Sequence, residues 1–434
     1  RVVYEPRAVL DHFEFGSSEK SGQALALQQK NRLLFLEKHQ AFLARQWVPD
    51  LQNVLAARTR APEGGTERVL ILDDRVPLPP LGAGFPRACH LLEVIAETGR
   101  QVTFYPIDRP QESWDAIQQW LPPTVEVALD QGRAGLAAFL KERRGLYDTI
   151  IISRPHNMEL LRALLKDEPD LLGKARLIYD AEAVFAVREK HRARLFGSAD
   201  SVARADREIE TELKLASIAQ RIVTVSPGEA AHFLQRGYRD VHVIGHGIAP
   251  HPTPRAFAER HNLLFVGLLQ DDASPNVDSL QWFAREVGPR LSQHLSEPVE
   301  LQAVGRTGAK GLDGLPTGCL RLMGPVEDLT PLYDRSRVFV APTRFAGGIP
   351  HKIHEAAAHG LPVVATSLLA EQLGWTNGVE LLTADDPDAF ARQIATLYQD
   401  EALWTRLRNA ALARMAQDCD PQEFARRVQA VVSF

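Results

Sequence analysis

VFVAPTRFAGGIPHKIHEAAAHGLPVVAT, residues 338–366, carries the reading of the fold. Val338–Ala341 is a short apolar run without alternation, the look of a strand buried on both faces of a parallel sheet. Gly347 and Gly348 turn the chain, Pro350 suits the first turn of a helix, and Gly360 ends it. Val363–Thr366 is a second strand. Strand, glycine turn, helix and strand make one βαβ unit, the building block of a doubly wound α/β domain. On the helix, Ile353, Ala357 and Gly360 line the packed face, while His351, Lys352, Glu355 and His359 gather on another at spacings of three and four. Such a face admits two readings. A cation and a carboxylate beside a glycine turn can grip a diphosphate and a pair of sugar hydroxyls. The same residues also fit a solvated face with an i,i+3 ion pair.

Outward from this unit the texture repeats. Leu263–Val266 and Val299–Val304 are further strand candidates, with Ser279–Val287 and Ile353–His359 as helical stretches. Upstream, Val69–Leu72, Val102–Tyr105, Thr149–Ile152, Leu177–Tyr179, Ile222–Val225 and Val241–Ile244 alternate with helical segments at Ala88–Thr98, Gly135–Arg143 and Ile209–Ala219. Between the halves runs Gly247-Ile248-Ala249-Pro250-His251-Pro252-Thr253-Pro254, whose prolines resist helix and central strand alike and predict a linker. The expected organisation is a helical extension over 1–66, a first Rossmann-like domain over 67–250, a second over 251–420, and a helix over 421–434 that returns to the first domain. Within the extension, Arg1–Tyr4 reads as extended, Leu27, Leu33, Leu34, Leu36 and Phe42 recur at helical spacing, and Ala61–Thr66 reads as a joint.

Composition narrows the function classes. The 434 residues are 45% apolar and 24% charged, which excludes disordered and fibrous chains and calls for more than one core. Fifty Lys and Arg against 55 Asp and Glu leave no basic surface for nucleic acid. Cys89, Cys319 and Cys419 lie far apart, forming neither a disulfide framework nor a zinc cluster, and a reducing, cytoplasmic compartment is expected. No apolar run approaches the roughly 18–20 residues that span a bilayer, and no signal peptide opens the chain. The start at Arg1 reads as a cut from something longer.

Ligands of open parallel sheets bind at the carboxyl ends of strands, so each strand-to-helix turn is a candidate. After the first strand, Asp73–Arg87 carries Gly82 and Gly84, which allow close backbone approach to phosphate or sugar groups; the alternative is a long surface loop. A third glycine is absent at the dinucleotide spacing, which disfavours NAD and a Rossmann dehydrogenase. His156, Asp180 and Glu182 stand at other strand ends as candidate catalytic side chains. His354 and His359 are five apart, about 140° around a helix, whereas the zinc-protease pattern needs four; no metal is expected.

These residues carry a resemblance. Gly347-Gly348-Ile349-Pro350-His351-Lys352-Ile353-His354-Glu355 through Thr366 resembles the donor-site signature of glycosyltransferase family 4, the group 1 retaining enzymes with the GT-B fold. Phe265-Val266-Gly267 with Ser274–Phe283 resembles the opening of that family's second domain, and Gly324–Leu329 with Val338–Pro342 its nucleotide-base region. Val223–Ser226 and Val243–Ile248 resemble the end of its first domain, so that the likeness covers about residues 68–415. It implies two Rossmann-like domains facing across a cleft, an acceptor domain first and a donor domain second. By position it implies donor binding at Gly82, Gly84, Gly267, Arg306, Val326, Gly347, Gly348, Ile349, Lys352 and Glu355, with Glu355 on the ribose hydroxyls. Gly347 stands where many members carry a first glutamate, Leu268 where many carry an arginine, and Phe185 near a frequent histidine. Lys352 and Arg306 would then supply the charge for the diphosphate.

The implied activity moves a sugar from a nucleotide diphosphate sugar to a glycan or lipid-linked glycan hydroxyl, with retained configuration and no cofactor. A catalytically inactive nucleotide-sugar-binding module and a GT-B epimerase are the rivals. A place in bacterial surface-glycan assembly, at the inner face of the membrane, is also implied. Tyr4–Val9 with His12–Ser18 resembles the tail of a family 2 glycosyltransferase domain, which implies fusion to such a domain upstream.

Overall fold

The computed structural model describes residues 21–44, 46–48, 50–54, 67–82 and 84–434. The chain divides into two units, Arg1–Gly64 and Gly65–Phe434. In the smaller unit the described residues form α1 (Ser21–Lys38), α2 (Gln40–Leu43) and a 3-10 turn at Leu51–Asn53. Leu27, Leu33, Leu34 and Phe42 are exposed there. The extended reading of Arg1–Tyr4, the joint at 61–66 and the family 2 likeness at Tyr4–Ser18 lie outside the described residues.

The larger unit contains two parallel sheets. The first holds β1 (Arg68–Arg75), β2 (Gln101–Arg109), β3 (Glu126–Val127), β4 (Thr149–Ser153), β5 (Arg176–Glu182), β6 (Arg221–Thr224) and β7 (Val241–Val243). Their order is β3-β2-β1-β4-β5-β6-β7, every neighbouring pair parallel. The second holds β8 (Leu263–Val266), β9 (Leu301–Val304), β10 (Leu320–Gly324), β11 (Val338–Ala341), β12 (Val363–Ala365) and β13 (Leu382–Thr383). It repeats the pattern as β10-β9-β8-β11-β12-β13. In each sheet the chain winds one way from the first strand and then reverses, at β1/β4 and at β8/β11. Doubly wound sheets open a ligand crevice at those reversals.

Helices cover both faces, as parallel sheets require. In the first domain they are α3 (Phe85–Glu97), α4 (Trp114–Trp120), α5 (Gly132–Glu142), α6 (Pro155–Asp167), α7 (Phe185–Phe196), α8 (Ala199–Leu213) and α9 (Pro227–Leu234). In the second they are α10 (Pro275–Trp282), α11 (Gly288–Leu291), α12 (Thr330–Arg335), α13 (His351–Ala358), α14 (Ser367–Leu373), α15 (Pro387–Gln399) and α16 (Glu401–Asp418). The final helix, α17 (Pro421–Val432), sends Phe424, Val428, Val431 and Val432 into the core of the first domain, with Leu91, Ile95, Ile178 and Val223. Arg221 fastens its end, donating to Val431 O at 2.7 Å and Ser433 O at 2.6 Å.

Several expected segments differ in extent. Val299 lies outside β9, which begins at Leu301. The helix expected over Ile209–Ala219 is the end of α8 followed by a 3-10 turn at Lys214–Ile218. That expected over Ser279–Val287 starts earlier, at Pro275, because Ser274 caps it by accepting from Val277 N, and it loosens to a π turn from Phe283. The Pro-rich segment forms no helix or strand, yet it does not hang free. His251 N and Thr253 N donate to Ala358 O and His359 O, pairing carbonyls that the end of α13 leaves unpartnered. Arg260, fully buried, ties the same segment down by donating to Thr253 Oγ1 and Tyr333 O, both at 2.8 Å.

Candidate functional site

On the second domain the site is built from the ends of β8 and β11. β11 runs Val338–Ala341 with every residue fully buried, and beyond it Thr343 is held by Ser279 Oγ at 3.0 Å and by Thr366 Oγ1, which donates to its carbonyl at 2.6 Å. That anchored stretch delivers the Gly347-Gly348 turn and α13. Gly348 has φ +75°, and a Cβ there would stand 3.1 Å from Ala183 Cβ, so the conformation and the space both call for glycine.

Lys352 opens α13 and leans back toward β8. Its Nζ donates to Asn276 Oδ1 and lies 4.5 Å from the centre of the Phe265 ring. Asn276 in turn donates to Leu268 O at 3.1 Å. Burial pushes the ammonium down to about 7. Among the described residues no carboxylate forms an ion pair with it. A desolvated ammonium without a carboxylate, beside a glycine turn and a helix start, suits an anion. Lys352 thus departs from the expected grouping: it turns to Phe265 and Asn276, while His351, Glu355 and His359 form a separate i,i+4 stripe.

Glu355 is partly exposed, with His351 Nε2 at 3.6 Å and His359 Nδ1 at 3.9 Å. The linker adds a neighbour the helix alone does not supply. His251 Nε2 stands 3.1 Å from His359 Nε2, and His251, Glu355 and His359 each offer a metal-ligating atom within 4.8 Å of the others. Spacing along one helix did not reveal this trio. Behind it, His354 and His246 meet Nδ1 to Nδ1 at 2.9 Å, and burial holds His354 down to about 3.

Of the other expected donor residues, Gly267 follows β8 with its N–H on Val304 O at 3.0 Å. Arg306 is exposed after β9, its carbonyl accepting from Leu269 N, and Val326 is exposed after β10. Ile349 approaches Gly245 of the first domain, its Cδ1 3.9 Å from where a Cβ would stand.

The first domain closes on the glycine turn. Glu229 of α9, 6% exposed, accepts from Gly348 N and from Val184 N, both at 2.8 Å, so one carboxylate clasps the two domains. Burial pushes that carboxyl up. His191 Nδ1 lies 3.2 Å from Ala346 O, and Arg344 stacks on Phe196.

Beside this contact the carboxyl ends of β1, β4 and β5 carry a charge network. Arg87 binds Asp180 through two nitrogens at 2.8 and 3.2 Å, and donates to Ile244 O at 2.9 Å. Asp180 is therefore held in a buried ion pair with Arg87. Arg154, at φ +76°, donates to Asp73 at 2.8 Å and reaches Glu182 at 3.5 Å. Glu182 has φ +53°, and burial raises its carboxyl. His156 Nε2 lies 2.6 Å from Asp74 Oδ1 and 3.7 Å from Asp108 Oδ2; the hydrogen bond to Asp74 raises its imidazolium. Of the two glycines expected after β1, Gly84 lies beside this network, where a Cβ would be 3.0 Å from Glu182 Oε2, while Gly82 has open space around it. Ala83 lies outside the described residues.

Sequence reasoning missed Glu229, Asn276 and Arg154. Glu229 reads as the third residue of a capped helix, since Ser226 accepts from its N–H. Nothing local shows that its side chain crosses to the other domain.

Comparisons with known proteins place this architecture. Residues 260–400 match the family described as "Glycosyl transferases group 1". No curated protein matches the chain significantly. Among solved structures, HepE of Anabaena in complex with UDP-glucose is similar at TM-score 0.61 and 16% identity, over 84% of this chain and 99% of that one. Sucrose-phosphate synthase of Thermosynechococcus elongatus is similar at 0.62 and 16%, over 84% and 98%. A glycosyltransferase of Rickettsia africae is similar at 0.58 and 12%, over 85% and 98%. At these identities the likeness establishes the fold. The larger unit has the GT-B architecture, and its second domain carries the group 1 glycosyltransferase match. No helix among the described residues is long and apolar enough to cross a membrane.

Proposed function

We propose that the chain is a retaining glycosyltransferase that moves a sugar from a nucleoside diphosphate sugar to a hydroxyl of a glycan or lipid-linked glycan, in bacterial surface-glycan assembly at the inner face of a membrane. The observation that carries this reading is Lys352: an ammonium without a carboxylate partner among the described residues, its charge suppressed by burial, beside the Gly347-Gly348 turn and the N-terminus of α13.

A departing nucleoside diphosphate develops negative charge as the bond to the anomeric carbon breaks. Lys352 and the start of α13 face that charge, and such preorganised donors act where charge develops. Glu355 would accept hydrogen bonds from the ribose hydroxyls. The acceptor oxygen forms the new bond on the face the diphosphate leaves, and a diphosphate oxygen takes its proton, so no side-chain base is required. Lys352, with Arg306 in reserve, supplies the charge that a cation supplies elsewhere, and no resident metal or cofactor is assigned. Because HepE was solved with UDP-glucose, uridine is the first base to test.

The test is turnover of a panel of UDP-hexoses with glycan acceptors, the product's anomeric configuration read by proton NMR. The reading expects transfer with retention, undiminished by a chelator. Conversion of donor to an epimer without acceptor would replace it by the epimerase reading.

A further inference from the structure

His251 and His359 meet where the Pro-rich linker crosses the end of α13, and the proposed transfer leaves both without a role. Each ring is fixed at one nitrogen. His251 Nδ1 lies 2.7 Å from Ala249 O, and His359 Nδ1 lies 2.8 Å from Glu355 O. A carbonyl oxygen only accepts, so each Nδ1 carries the hydrogen and each neutral ring leaves Nε2 as a bare lone pair. Those two Nε2 atoms stand 3.1 Å apart. Neutral rings in these tautomers have no proton to place between them, so the contact calls for a cation.

The surroundings suit a metal ion in that place. With Zn–N bonds of about 2.0–2.1 Å and a tetrahedral angle, two ligand nitrogens lie about 3.3 Å apart. Glu355 adds a carboxylate, and the three residues each offer a ligand atom within 4.8 Å of the others. A hydrogen bond from the far ring nitrogen to a carbonyl is the usual support of a metal-bound imidazole, and both histidines have one. The frame is firm. His359 is 5% exposed and stacks on Tyr333 with ring centres 4.1 Å apart. The linker backbone is held by His251 N on Ala358 O at 2.8 Å and Thr253 N on His359 O at 3.0 Å. The two imidazoles meet edge to face, and the exposed His251 ring is the one with room to swing its lone pair onto a shared ion. Two imidazoles with one carboxylate, open on the His251 side, are a donor set for Zn²⁺ or Co²⁺ rather than for Mg²⁺.

We propose that His251, His359 and Glu355 form a site for a divalent transition-metal ion of the zinc class, and that the ion, by taking the Glu355 carboxylate, opposes nucleotide binding. The ion takes no part in sugar transfer. It fastens the linker to α13 and withdraws the group assigned to the ribose. That second half rests on the donor reading above. Two ligands that compete for one carboxylate weaken each other by the same factor.

The experiment uses the whole chain, without an affinity tag and washed with EDTA, and titrates ZnCl₂, MgCl₂ and UDP by calorimetry. The expected result is a Zn²⁺ site with no matching Mg²⁺ site, and Co²⁺ in its place should show the strong visible absorption of tetrahedral coordination. His251→Ala changes an exposed side chain and keeps the backbone bond to Ala358, and it should weaken Zn²⁺ at least about tenfold. His156→Ala should leave Zn²⁺ affinity unchanged, which separates this site from the Asp74, Asp108 and His156 group. Saturating Zn²⁺ should lower UDP affinity at least about fivefold in the wild type and less than about twofold in His251→Ala. The variant thereby accounts for zinc that UDP chelates in solution.

No Zn²⁺ binding, equal binding of Mg²⁺, or Zn²⁺ affinity unmoved by His251→Ala overturns the site. Zinc bound through His251 with UDP affinity unchanged keeps the ion and overturns its opposition to the nucleotide. Failure of the metal-free chain to bind UDP removes the donor reading and the antagonism with it, while the zinc titration still decides the site.

Discussion

Glu355 projects from α13 with its carboxylate partly exposed between His351 and His359, so its oxygens remain open to hydroxyls. Hydrogen bonds to a charged group contribute roughly 1.5–3 kcal/mol each. Glu355→Gln is therefore expected to weaken nucleotide binding about tenfold or more while the melting temperature holds. Calorimetry with UDP, GDP, ADP and dTDP checks this, and unchanged affinity for whichever nucleotide the wild type binds would remove Glu355 from the site. At this scale the sequence was legible where chemistry and local spacing coincide. Lys352 and Glu355 stand out because a glycine turn and a helix start precede them. Glu229 was illegible because its partners, Val184 N and Gly348 N, are 45 and 119 residues away. Arg154 was hidden for the same reason: its link to Asp73 spans 81 residues.

The helix α13 is also where pH acts on stability. His354 is 3% exposed, and burial, with His351 adding to it, holds it down to about 3. In the unfolded chain it titrates near the ordinary 6.5. Between those values the unfolded state binds the extra proton, so stability rises with pH across that window and is lost on acidification from about 6.5 downward. The loss from this group alone is on the order of 3 kcal/mol at pH 4. His354→Gln keeps a hydrogen-bonding group facing His246 without that titration. Melting curves should show the variant less stable than wild type at pH 7.5 and closing or reversing the gap by pH 4.5. A gap independent of pH would contradict the assignment. The fully buried strands of this fold were readable as unbroken apolar runs, β4 and β11 above all. Glu126–Val127 and Leu382–Thr383, at two residues each, are too short to show any period, and β10, on a sheet edge, leaves both Arg321 and Leu322 exposed.

Across the whole molecule two features set the relation of the domains. The first is α17, which buries Phe424, Val428, Val431 and Val432 against the first domain although it follows the second in sequence. At about 1.5 kcal/mol or more for each of these four buried side chains, removing residues 421–434 should cost the first domain roughly 6 kcal/mol or more. An unchanged thermal melt in the truncated chain would count against that brace. The second is the Glu229 clasp, which holds the glycine turn against the first domain through two backbone amides. Glu229→Ala removes both bonds and should enlarge the radius of gyration seen by small-angle scattering, with UDP restoring part of the compaction. The doubly wound pairs were legible from sequence because βαβ texture repeats on either side of a Pro-rich segment. Their mutual closure was not, since it depends on contacts such as the Glu229 carboxylate meeting Gly348 N, 119 residues away in sequence.

The central claim is that the turn before α13 binds a nucleoside diphosphate through Lys352. Burial leaves that ammonium titrating near 7, so a diphosphate placed beside it must raise its proton affinity. The decisive measurement is UDP binding by calorimetry at pH 8, in two buffers of different ionisation enthalpy, for wild type and Lys352→Met. The account predicts that wild type takes up close to one proton per UDP and binds more weakly as pH rises from 6.5 to 8.5. Lys352→Met should take up none and lose the pH dependence. Equal affinity and equal proton uptake in the two proteins would contradict it.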